Sequence, residues 1–96
     1  MQKPSQQQAK KHMHHSFKLF VSTPDTILFE GEAVSLCLPG GFGYMEILAD
    51  HADIISLVNT GKVAIIAKDK ESLHFDSVAG FFQMKDNQAT LLLHTP

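Results

Sequence analysis

Val34-Ser35-Leu36-Cys37-Leu38-Pro39-Gly40-Gly41-Phe42-Gly43-Tyr44-Met45-Glu46-Ile47-Leu48 is the stretch that decides the fold. Val34, Leu36 and Leu38 alternate with Ser35 and Cys37, the period of two that sends successive side chains to opposite faces of a strand. Pro39-Gly40-Gly41-Phe42-Gly43 then breaks the run, because glycines supply the backbone freedom a tight reversal needs. Residues 44–48 are extended again. The stretch therefore predicts a strand, a turn and a second strand.

The same pattern continues on both sides. Phe17, Leu19 and Val21 alternate with Lys18, Phe20 and Ser22, and Thr23-Pro24-Asp25-Thr26 marks a turn. Glu30-Gly31-Glu32 is expected to break the chain before Val34. Downstream, Thr60-Gly61 introduces residues 63–67, apolar on both faces, and Leu73 and Phe75 alternate with Ser72, His74 and Asp76. Residues 77–84 and 89–93 supply two further strands either side of Asp86-Asn87. The one stretch with helical prospect is residues 49–57. Short strands at this spacing predict an all-β fold, a small two-sheet β-sandwich over residues 16–96, with neither an internal repeat nor a second domain.

Composition narrows the function. A chain of 96 residues holds one domain, too small for a large buried active site. Its 44% hydrophobic and 19% charged residues are those of an ordinary soluble globular protein. No apolar run approaches the roughly 20 residues that span a bilayer, so no direct membrane insertion is expected. No secretory signal is evident, and one cysteine, Cys37, builds no disulfide framework, which favours a reducing compartment. Lys3, Lys10 and Lys11 place +3 on residues 1–15, leaving −5 on the rest of a chain of formal net charge −2. An acidic body lacks the electrostatic footprint of a nucleic-acid binder. Residues 1–15, rich in Gln, Lys and Ser, are expected to form a disordered arm.

Residues with chemical potential are few. Gly40, Gly41 and Gly43 lack the spacing of a phosphate-binding loop and precede no helix, so they are turn residues. Cys37 and His51 make a nucleophile and base only if the fold brings them within hydrogen-bond reach, and Cys37 sits in a regular strand where a small thiol packs well. His12, His14 and His15 lie on the arm without Cys or acid at ligand spacing, so no metal site is expected. His51, with Asp50 and Asp53 nearby, is either a loop histidine held by local hydrogen bonds or an interface residue. Phe81 and Phe82 point to opposite faces. One fills the core, and the other, like Ile66 and Leu92, covers the second sheet face or, the favoured reading, is available to a partner.

Three blocks, in order and spacing, resemble the β-sandwich domain of the epsilon subunit of F-type ATP synthases. The first is residues 17–24 followed by Leu28-Phe29-Glu30-Gly31-Glu32. The second runs without a gap from Leu38 to Ala52 and continues through Ser56-Leu57-Val58-Asn59-Thr60-Gly61-Lys62-Val63. The third is Val78-Ala79-Gly80-Phe81-Phe82, then Asn87 and Thr90-Leu91-Leu92. The resemblance covers residues 17–96. The chain departs from the family pattern at Glu46, usually Gly, at Ala49-Asp50, usually Pro-Gly, and at Asp53, usually Pro. Tyr44 replaces a common carboxylate, and Glu46 projects to the same side of the strand two residues later.

The resemblance implies a coupling role. Such a sandwich sits at the foot of the central stalk against the gamma subunit and the polar loops of the ring of c subunits. It turns with the rotor, and carries no catalytic residue, nucleotide, cofactor or metal. The implied location is peripheral, on the cytoplasmic face of a bacterial inner membrane. The implied partner interface comprises Gly41, Tyr44, Glu46, His51, Phe81 and Leu92. The family's C-terminal helical hairpin is not expected, since the sequence reaches Pro96 directly after the last strand. A free-standing β-sandwich that binds a ligand or protein is the alternative.

Overall fold

The structure, a computed structural model, describes residues 14–96. It comprises eight strands, β1 Phe17–Ser22, β2 Ile27–Gly40, β3 Gly43–Ile47, β4 Ile54–Val58, β5 Gly61–Ala67, β6 Ser72–Ser77, β7 Ala79–Lys85 and β8 Gln88–His94. Among the described residues there is no helix, and hence none able to cross a membrane. The expected all-β sandwich is what forms.

β2 organises the layers. Its first half pairs with β1, and its second half pairs with β5 on one side and β3 on the other. One layer is then β3, β2, β5 and β6. The other is β1, β8, β7 and β4, with β1 and β8 parallel and the remaining pairs antiparallel. Hydrogen bonding is continuous through β2, and a last pairing of Gly40 with Val58 joins its far end to β4. The two layers are thus stitched together by one 14-residue strand that belongs to both.

Alternation fills the space between them. Phe17, Leu19 and Val21 from β1, Ala89, Leu91 and Leu93 from β8, and Phe82 and Met84 from β7 face Leu36 and Leu38 from β2 and Val63 and Ile65 from β5, all buried. Each fully buried aliphatic or aromatic side chain contributes on the order of 1.5–3 kcal/mol. These inward positions account for the period of two that the sequence displays.

The structure differs from the sequence-based expectation at five places. Ala33, not Val34, is buried, because the β2–β5 register shifts between Ala33 and Ser35, and this bulge moves the inward phase by one residue. Glu30, Gly31 and Glu32 do not break the chain, since each pairs across to β1 and those ladder bonds keep the glycine extended. Pro39 and Gly40 belong to β2 as well, and only Gly41 and Phe42 make the hairpin loop, between the paired Gly40 and Gly43. Residues 49–57 contain no helix. β-Branched Ile54 and Ile55 begin β4, which pairs along its whole length with β7. Residues 77–84 are not one strand either, because the chain changes layer at Val78, whose N–H donates to the His94 carbonyl at 2.9 Å.

Candidate functional site

Gly41, Tyr44 and Glu46 lie along the β2–β3 hairpin. Gly41 and the fully exposed Phe42 form its tip. Tyr44 stands opposite Pro39 and Glu46 opposite Cys37, both outward on the same face as expected. The hairpin is held from the β4–β5 turn. Asn59 donates its N–H to the Pro39 carbonyl at 2.7 Å and its side-chain amide to the Gly40 carbonyl at 3.0 Å. The Tyr44 hydroxyl accepts the Lys62 N–H at 3.0 Å. That approach requires glycine at Gly61, where a Cβ would stand 2.7 Å from the Tyr44 oxygen and 3.0 Å from the Pro39 ring. Tyr44 is therefore anchored at its hydroxyl while its ring stays exposed.

His51 is at the other end of β3. Five residues of strand separate the tip from the β3–β4 loop, about 17 Å at the rise of an extended chain. The structure thus places Gly41 and His51 at opposite ends of β3, with Tyr44 and Glu46 between them. His51 Nδ1 lies 2.8 Å from the Ala52 carbonyl, and its N–H donates to the Leu48 carbonyl at 3.2 Å. Asp50, at φ 62°, donates its N–H to Asn87 Oδ1 at 2.7 Å, and Asp53 Oδ1 accepts the Asp86 N–H at 3.0 Å.

Phe81 and Leu92 meet on the opposite layer. They are direct cross-strand partners on β7 and β8, and Leu57 on β4 is the partner of Phe81 on its other side. Leu57, Phe81 and Leu92 are 69%, 39% and 45% exposed, and Ile55, two residues from Leu57, is 66% exposed. Leu57, Phe81 and Leu92 form one apolar row across three strands, all on the outer face. A groove of about 480 Å³ runs beside it, lined by Thr23, Pro24, Gly80, Phe81, Leu92 and His94. Ile66, grouped with these residues from sequence, points out of the other layer, where it pairs with Ser35 and Ser72. Phe82 is the core phenylalanine.

The sequence analysis missed Leu57, Ile55 and Phe42. Alternation through residues 54–58 marks Ile55 and Leu57 once that segment is taken as a strand with Ile54, Ser56 and Val58 inward. Cys37 has Glu46 and Ala64 as its cross-strand neighbours, on a different element from His51. His12 lies outside the described residues. His14, assigned to the arm, bonds Asp50 through Nδ1 at 2.6 Å and through its N–H at 2.7 Å. Among the described residues, no three His, Cys, Asp or Glu side chains converge as a metal site.

Glu32 accepts the Ser16 hydroxyl at 2.5 Å, and Lys68 stands 3.8 Å away, acting through its charge at that distance. These two hold the Glu32 carboxyl below its usual range, the Ser16 bond most of all. The Asp76 carboxylate, 2.8 Å from Lys62 Nζ, raises that ammonium's pKa through its hydrogen bond and charge.

The fold and these surfaces define a small all-β sandwich that presents a flat apolar face and an anchored hairpin. The comparisons assign it more closely. The chain belongs to the family described as ATP synthase, Delta/Epsilon chain, beta-sandwich domain, which matches residues 16–95. Among curated relatives, an ATP synthase epsilon chain of Protochlamydia amoebophila is 37% identical over 76 residues, 79% of this chain and 52% of the relative. One of Chlorobium limicola is 36% identical over 77 residues, 80% of this chain and 88% of the relative. The chain thus spans about half the length of the first and most of the second. Among solved structures, a chain of the Euglena gracilis mitochondrial ATP synthase, in an assembly of OSCP, F1 and c-ring, superposes with a TM-score of 0.77 over 84% of this chain and 52% of that one, at 13% identity. A chain of the Tetrahymena thermophila mitochondrial ATP synthase central stalk and c-ring gives 0.68 over 79% and 61%, at 14% identity. At those identities the structures show the shared fold.

Proposed function

We propose that this chain is an epsilon-type subunit of a rotary F-type ATP synthase central stalk. It turns with the rotor and couples ion translocation through the membrane ring to ATP synthesis or hydrolysis, without catalysing either. Membership of the epsilon-chain family supplies the class. The observation that carries the mechanism is the outward row of Leu57, Phe81 and Leu92, because a sheet face of this kind is stable in water at a cost that a protein partner removes.

In this reading the gamma subunit covers that row, and the polar loops of the c ring meet the hairpin at Gly41, Tyr44 and Glu46, with His51 at the margin. Torque passes through a body whose core is continuous between the layers, so a push on the hairpin is transmitted through β2 without a hinge. The subunit is peripheral, on the cytoplasmic face in a bacterium, and binds no nucleotide or cofactor of its own. The test is co-expression with a gamma subunit from the same source. A complex that survives purification is expected. No association at tens of micromolar, with the chain folded, contradicts the proposal.

A further inference from the structure

We propose that residues 14–16 form a strap that positions the β3–β4 loop, and His51 with it, against the β7–β8 turn. Four hydrogen bonds close a ring through three segments far apart in sequence. The His14 N–H and Nδ1 grip the two oxygens of Asp50 at 2.7 and 2.6 Å. The Asp50 N–H donates to Asn87 Oδ1 at 2.7 Å, and the Asn87 side-chain amide returns to the Ser16 carbonyl at 2.9 Å. Ser16 ties the same segment to β2 through Glu32. A carboxylate that accepts two N–H bonds at these lengths is held in orientation as well as in place.

The ring explains two local features. Asp50 and Asn87 both adopt positive φ, 62° and 61°, where Asp and Asn are the tolerated non-glycine residues and their short polar side chains bond nearby backbone. Here the Asp50 side chain bonds His14, and the Asn87 side chain bonds the Asp50 N–H and the Ser16 carbonyl, so the strained positions double as the ring's corners. His14 closes the circuit on the Asp50 side chain, and Asp53 ties the same loop to the turn through the Asp86 N–H. His14 is a positioning residue for His51, which is next to Asp50 in the chain. The consequence at a stalk interface rests on the proposed function, but the strap is a property of the isolated chain.

Amide hydrogen exchange on the full-length chain tests it. His14→Ala is expected to speed exchange at the Asp50 and His51 amides about tenfold, the order of one charge-assisted bond partly exposed to water. Core amides such as those of Leu91 and Phe82 should keep their rates, which confirms the fold. Asp50→Asn suits the same backbone conformation yet offers one acceptor oxygen instead of two, so an intermediate acceleration is expected. His14→Gln, which retains a side-chain N–H donor, should recover part of the protection. Unchanged exchange at Asp50 and His51 in both His14→Ala and Asp50→Asn, with the core intact, overturns the strap whatever the chain binds.

Discussion

Glu32 and Lys62 have their titration shifted by their surroundings, and in opposite senses. Glu32 is held below the usual carboxylate range, chiefly by the Ser16 hydroxyl. It stabilises the fold above its unfolded pKa, and that contribution is lost as pH falls through its folded value. Ser16→Ala removes the largest cause, so the Glu32 carboxyl carbon, followed by NMR, should titrate closer to an ordinary glutamate. An unchanged midpoint contradicts the assignment. Lys62 is raised by Asp76. Its contribution is fully present below the unfolded lysine pKa and is lost as pH rises through the folded value, which leaves neutral pH untouched. Gly80 is constrained by space, since a Cβ there would lie 2.5 Å from the Leu92 carbonyl oxygen and 2.9 Å from Leu93. Gly80→Ala is expected to cost about 1–3 kcal/mol as β7 and β8 move apart, visible as a lower denaturation midpoint. Alternation foretold which of Phe81 and Phe82 faces which way only as a pair. Deciding that Phe82 is the buried one takes the core it fills.

At the scale of elements, the strands announce themselves and their junctions do not. β1, β5, β6 and β8 lie close to where periodicity puts them, because each has one face on the core and side chains alternate by stereochemistry. The bulge at Val34 and the layer change at Val78 arise from pairing with distant strands, which no local period records. The β7–β8 turn was legible, for Asp86 and Asn87 both take positive φ, 52° and 61°, between the paired Lys85 and Gln88, the geometry of a two-residue type I′ hairpin. What the sequence could not show is that Asn87 also bonds Ser16 and Asp50, partners 71 and 37 residues away. Two substitutions separate these roles. Asn87→Gly keeps the turn and loses only the side-chain bonds, at about 1–2 kcal/mol, whereas Asn87→Val adds the steric cost of a β-branched residue at positive φ, for about 3 kcal/mol in total. Chemical denaturation should rank them in that order. Equal losses would mean that the side-chain bonds carry all of Asn87's weight.

For the whole molecule, the two outer faces differ in kind. The layer of β3, β2, β5 and β6 shows Glu46, Cys37, Ala64 and His74 in one cross-strand row, with the Lys62–Asp76 ion pair beside it. The layer of β4, β7 and β8 shows Leu57, Phe81 and Leu92. Only the second has the apolar continuity that a standard protein interface requires at its centre. Phe81 and Leu92 were named as candidate interface residues from sequence, and Leu57 joins them only through the β4–β7 register. The central claim is that this row is the docking face for the stalk partner. Calorimetric titration of gamma into the wild-type chain and into Phe81→Asp tests it most directly. Phe81 is on the outer face, so the variant should still fold cooperatively, with stability lowered by about 1–2 kcal/mol for the lost cross-strand contacts. A charge at the middle of the row should weaken gamma binding by at least about thirtyfold, the loss of roughly 2 kcal/mol that defines a hot spot. A folded Phe81→Asp chain that binds gamma as tightly as the wild type would contradict the account.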